Sequence, residues 1–99
     1  MAEILVTSAQ LRKAAEELQQ LNTQFKARTD DLNSKEMELK SMWEGQANDA
    51  FHAAFQKDKS QWDVFYNTII EYVNALNQIA AKYDQAEATN TQTATTRTY

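Results

Sequence analysis

The sequence contains no cysteine, no proline and a single glycine, Gly45, close to the middle of its 99 residues. Without cysteine, neither a disulfide framework nor a thiolate metal site is possible. Proline breaks the interior of a helix and glycine weakens it, by about 3 and 1 kcal/mol respectively. Because the chain excludes both residues except at one point, it is predicted to be all-α, with two long helices and a single bend.

Long apolar runs and clustered positive charge are also missing. No stretch approaches the roughly 20 apolar residues of a membrane-spanning helix. The N-terminal segment carries Glu3 where a secretory signal peptide has a positive charge, and its apolar run covers only Ile4 to Val6. The net charge is −4, with lysine and arginine scattered among acids, which argues against a nucleic-acid partner. We therefore expect no nucleic acid, no stable membrane insertion and no classical signal peptide.

Catalytic and metal-binding chemistry has little support. His52 is the only histidine, and no nucleophile or second ligand stands at a useful spacing. A glycine-rich phosphate loop is excluded by the glycine count. We expect His52 to be a surface or rim residue and predict no enzyme, no metal and no cofactor.

The first helix is predicted over about residues 7–42. Thr7 and Gln10 have the spacing of a capping box, in which each side chain satisfies a free backbone donor of the other residue. Apolar side chains then recur at every seventh position, which indicates coiled-coil-like packing at a shallow angle. This row consists of Leu11, Leu18, Phe25, Leu32 and Leu39, and the second seam row of Ala14, Leu21, Arg28, Lys35 and Met42.

The turn is predicted over residues 43–47 and the second helix over about 48–88. Gly45 can end a helix in a left-handed conformation at little steric cost, and Trp43 is expected to cover the joint. The second helix has one row of Phe55, Trp62, Ile69, Leu76 and Tyr83, and another of Phe51, Asp58, Phe65, Tyr72, Ile79 and Ala86. A third row adds Tyr66, Val73 and Ala80. Residues 89–99 are rich in threonine and are predicted to be a flexible tail.

The apolar stripe on the second helix is much wider than the seam of two helices needs. Leaving its large side chains in water would sacrifice on the order of 10 kcal/mol, so we expect a second hairpin to cover it in a four-helix bundle. The partner is an identical copy or a relative. The side chains expected in this core or dimer interface are Leu11, Leu18, Leu21, Phe25, Leu32, Leu39, Phe51, Phe55, Trp62, Phe65, Ile69, Tyr72 and Leu76.

The chain resembles the WXG100 (ESAT-6-like) family in three features. It has about a hundred residues without cysteine, two long helices, and Trp43-Glu44-Gly45 at the single bend. The resemblance spans roughly residues 4–88. Tyr83 and Glu87 also match the tyrosine and acid that the family carries, four residues apart, within its export signal. Tyr83 continues the row of Phe55, so core packing and signalling are compatible roles for it.

This resemblance implies a small substrate of a type VII (ESX/Ess) secretion system, made in the bacterial cytoplasm and secreted as a folded dimer. It also implies the secretion ATPase as a partner, with a role outside the cell, in virulence, or as an escort of larger proteins. An intracellular helical adaptor or targeting partner for a larger secreted toxin is the alternative. Direct membrane disruption is disfavoured by the negative charge. In an antiparallel dimer, Trp43 and Gly45 of one chain would lie near Tyr83 and Glu87 of the other, as one composite surface.

Overall fold

The computed structural model describes the backbone of residues 6–96 and the side chains of residues 6–88. Two helices, α1 (Ser8–Met42) and α2 (Gln46–Thr96), pack against each other as an antiparallel hairpin. The molecule is a rod of 84 × 22 × 21 Å. The prediction of an all-α hairpin with one bend is confirmed, whereas its assembly into a four-helix bundle remains a prediction.

The start of α1 is set by a local exchange of hydrogen bonds. The Gln10 N–H donates to the Thr7 hydroxyl at 3.1 Å, and the Thr7 N–H donates to Gln10 Oε1 at 3.0 Å. The pair forms the predicted capping box. It satisfies two backbone donors that would otherwise lack an intrahelical partner, so the chain enters α1 at a defined residue.

The turn is shorter than predicted, because α2 begins at Gln46. After Met42 the backbone of Trp43 is extended, and Gly45 has φ +118°, a conformation that side-chain-bearing residues rarely adopt. The buried Asn48 amide donates to the carbonyl groups of Trp43 and Lys40, the latter at 3.5 Å. Asn48 therefore joins the start of α2 to the free carbonyl end of α1.

The prediction that α2 ends near residue 88 is wrong, because the helix continues to Thr96. The sequence offers no glycine or proline after Gly45 to stop it. Threonine costs less than about 0.7 kcal/mol per position in a helix, so a threonine-rich stretch is a weak terminator. The rest of the expected tail, residues 97–99, lies outside the described residues, as do residues 1–5.

In α1 the seam between the helices does not consist of the predicted rows, whereas in α2 it includes Val73 and Ala80 of the third predicted row. Its buried residues in α1 are Ala15, Asn22, Thr29 and Glu36, again at a spacing of seven. The spacing was predicted correctly, but the seam lies beside the rows of Leu11 and Phe55. A small or polar residue at the seam lets the two helices approach closely, and the large side chains are left on one flank.

Substitution of Gly45 tests the backbone of the turn. A Cβ atom at this position would meet no atom within 4 Å, so the cost of Gly45→Ala comes from the positive φ alone. We expect the free energy of unfolding in urea to fall by about 1–3 kcal/mol. Gln46→Ala, one residue later in α2, is the control and should change it by less than about 0.5 kcal/mol. An unchanged value for Gly45→Ala would contradict this account.

Candidate interaction surface

One broad face of the hairpin carries the large apolar side chains of both helices. Leu21, Phe65 and Tyr72 are 60%, 53% and 56% exposed. The same face carries other exposed or half-buried members of the predicted interface, namely Leu11, Leu18, Phe25, Leu32, Leu39, Phe51, Phe55, Trp62, Ile69 and Leu76. An exposed apolar patch that is continuous over two helices is typical of a protein–protein interaction site.

The middle of this apolar face is hollow. Phe25 and Phe65 pack across the helix pair edge to face, with ring centroids 5.3 Å apart. Around them lies a depression of about 280 Å³, lined also by Leu18, Leu21 and Ile69. Such a depression can accept an apolar side chain from a partner.

Aromatic rings connect the turn to this face. The ring centroids of Trp43 and Phe51 lie 5.9 Å apart. Those of Phe51 and Phe55 lie 6.4 Å apart, and those of Phe55 and Trp62 5.4 Å apart. A second hollow of about 180 Å³ is lined by Phe51, Phe55 and residues of α1 that include Leu32 and Leu39. The Trp43 ring therefore packs against the start of α2 and begins a ladder of rings along the apolar face.

A buried polar pair crosses the seam near the turn. The Glu36 side chain is 2% exposed and its Oε1 is hydrogen-bonded to Nδ1 of His52. Sequence reasoning placed His52 at the surface or rim and missed this pair. A signal is present in the sequence, because Ala15, Asn22, Thr29 and Glu36 also recur at every seventh position.

A second polar link lies fourteen residues away along each helix. The Asn22 amide donates to the carbonyl of Tyr66 at 3.0 Å, so it pairs the helices in the same register as Glu36 and His52. Asn22 Oδ1 and Glu36 Oε2 have no hydrogen-bond partner among the described residues. Buried polar atoms are costly unless paired, so these links favour one register over its alternatives more than they add stability.

The predicted signal residues lie where α2 outruns α1. Tyr83 is 47% exposed, and Glu87, one turn further, is also exposed. Between them, Asp84 forms an ion pair with Arg12 in α1, with Nη2 and Oδ2 2.5 Å apart. The Ser8 hydroxyl and the Arg12 guanidinium hold the pKa of Asp84 below its usual range.

The opposite face is polar. Lys26 and Asp30 pair at 3.1 Å, Lys59 and Asp63 at 3.7 Å, and the Lys26 ammonium lies 6.0 Å from the centre of the Tyr66 ring. The pKa of Lys26 is raised, mainly by its hydrogen bond with Asp30. The opposite face therefore carries charged pairs, whereas the large leucine and aromatic side chains gather on the apolar face.

Neither metal binding nor membrane insertion gains support from the described chain. Among residues 6–88 no three acidic, histidine or cysteine side chains come together in a way that would hold a metal ion. No helix in the part of the chain that the structure describes is long and apolar enough to cross a membrane.

The Glu36–His52 pair yields a prediction for stability. His52→Ala leaves the buried Glu36 side chain without its hydrogen-bond partner, and we expect it to reduce the free energy of unfolding by about 1–3 kcal/mol. The double variant Glu36→Leu/His52→Leu removes both polar groups and should cost markedly less. Lys35→Ala, at an exposed neighbour, is the control. Urea unfolding checks this, and a double variant as unstable as the single one would contradict it.

Comparison with known proteins gives a family match. The family model described as "WXG100: Proteins of 100 residues with WXG" matches residues 3–93, and Trp43 and Gly45 stand at the turn just described. Neither curated proteins nor solved structures yielded a match. The family consists of small helical proteins that are associated with type VII secretion and typically pair with family partners. With nearly its whole length matched, the chain belongs to the WXG100 family.

Proposed function

We propose that this protein is exported by a type VII secretion system as a folded dimer of hairpins, and that the exposed end of α2 is what the system recognises. The observation that carries the proposal is the position of Tyr83 and Glu87. They lie one helical turn apart on α2, both exposed, beside the start of α1. In a member of this family, an exposed tyrosine and carboxylate on one face form a surface that the secretion ATPase can read.

Dimerisation is supported by the apolar face. Burying a large apolar side chain contributes about 1.5–3 kcal/mol, and Leu21, Phe65 and Tyr72 are each more than half exposed in one chain. A second hairpin laid on this face would cover these side chains and fill both hollows. We propose that the second hairpin is another copy of this chain; a family relative is the alternative.

The composite signal surface follows from the shape of the hairpin. Trp43 and Tyr83 lie at opposite ends of the rod, since the 38 residues from Gly45 to Tyr83 span about 57 Å in a helix. One chain therefore cannot bring them together. In an antiparallel dimer the turn of one chain adjoins the end of α2 in the other. We propose that Trp43, Gly45, Tyr83 and Glu87 form a single recognised surface in that arrangement.

An intracellular adaptor for a larger secreted toxin would use the same apolar face without export of this chain on its own. The two functions differ in a measurable respect, because only the export proposal requires the segment from Tyr83 to Glu87 for appearance in the medium.

The oligomeric state gives a direct prediction. Light scattering should report twice the chain mass of 11.4 kDa. Phe65→Asp places a charge within the apolar face of both copies, and we expect the dissociation constant to rise by about 100-fold or more. Val64→Asp, at the neighbouring position, is the control. Val64 is 65% exposed, and one residue turns a helical side chain through about 100°, which takes it away from this face. A wild-type monomer that is fully folded would contradict the homodimer.

Export gives a second prediction. Tyr83→Ala and Glu87→Ala, or deletion of residues 83–87, should reduce the protein in the medium by about tenfold or more relative to the cell-associated amount, because the receptor loses a central contact. Gln85→Ala, exposed on the same segment, should be exported normally. Export of the deletion variant at the wild-type level would favour the adaptor function. Normal export of a monomeric Phe65→Asp variant would contradict the composite surface.

A further inference from the structure

Among the described residues, the ion pair between Arg12 and Asp84 is the Lys/Arg pair that joins the two helices. The remaining Lys/Arg pairs join residues three or four apart in one helix, such as Arg28 with Asp31 at 3.3 Å. Arg12–Asp84 instead joins α1 to α2, with both side chains 46% exposed. An exposed ion pair contributes little to global stability. This ion pair therefore matters for the local position of α2 relative to α1.

Packing alone holds α2 only as far as Ala80. Ala80 is fully buried against α1, whereas every residue from 81 to 88 is exposed. Among the described side chains after Ala80, Asp84 is the one that makes a polar contact with α1. The ion pair therefore extends the contact of α2 with α1 by about one helical turn, from Ala80 to Asp84. This brings the contact into the segment that carries Tyr83 and Glu87.

The direction of the contact also matters. Successive helical residues are turned by about 100°, so Tyr83 and Asp84 lie on different flanks of the line that faces α1. Arg12 holds Asp84 on one flank, and Tyr83 lies on the other, in the row of the apolar face. The backbone of Arg12 lies in the first turn and a half of α1, two residues after Gln10 of the capping box. The ion pair with Arg12 therefore fixes the rotation of α2 about its own axis, and the Tyr83 ring is left uncovered.

We propose that Arg12 is a positioning residue for the export signal: through Asp84 it holds the overhanging end of α2 in the orientation that presents Tyr83 and Glu87. This inference rests on the proposed function. Arg12 does not itself touch the receptor, so its role depends on charge complementarity with Asp84 and not on the identity of either side chain. Exchanging the two charges should therefore preserve presentation.

The test combines amide hydrogen exchange on the purified full chain with an export assay. Arg12→Asp replaces an attraction by a repulsion, and we expect exchange in residues 81–88 to quicken about two- to fivefold, with a comparable loss of export. The melting temperature should change little. The double variant Arg12→Asp/Asp84→Arg should restore both. Lys26→Asp, which makes the same charge change in the pair with Asp30 within α1 and lies on the opposite face, should alter neither.

Unchanged exchange in Arg12→Asp would overturn the proposal, and so would a charge-swapped variant that recovers neither property. If exchange responds and is rescued while export does not respond, the positioning role in export is also overturned. Normal export of Tyr83→Ala is a separate result that contradicts the proposed function, because it shows that the segment is not a signal. The Arg12 and Tyr83 variants thus distinguish a failed anchor from a failed signal.

Discussion

The buried contact between Glu36 and His52 constrains the pairing of the two helices. A carboxylate that is removed from water needs its specific partner. Sliding one helix past the other would separate Glu36 from His52 and strongly destabilise the folded state. Asn22 lies fourteen residues before Glu36 in α1 and donates to the Tyr66 carbonyl in α2. This hydrogen bond imposes the same register. Two such links, together with the small side chains of Ala15 and Ala80, specify how a narrow seam closes.

The polar seam has a consequence for the rest of the surface. Since small and polar residues occupy the positions between the helices, the leucines and aromatic residues are left on one flank. A single chain thus has polar contacts that favour one register, and most of its large apolar side chains lie on one exposed or half-buried face.

The two ends of the rod are built differently. At the turn, Asn48 and Trp43 close the joint, and the Trp43 ring leads into the aromatic ladder of the apolar face. At the other end, α2 outruns α1, and its side chains from 81 to 88 are exposed. The closed end carries Trp43 and Gly45, and the open end carries Tyr83 and Glu87, the four residues of the recognised surface that we propose.

The sequence alone determined the two helices, the bend at Gly45, the capping box and the wide apolar stripe, because each follows from local propensity or periodicity. It also placed the chain in its family through Trp43 and Gly45. Four features emerged only with the tertiary structure: the α1 side of the seam, the Glu36–His52 pair, the Arg12–Asp84 ion pair and the continuation of α2 to Thr96. The reason is that a seven-residue repeat specifies a spacing without specifying which row faces the other helix. That choice depends on how closely two backbones approach and which polar groups then find partners, and both are properties of the packed pair.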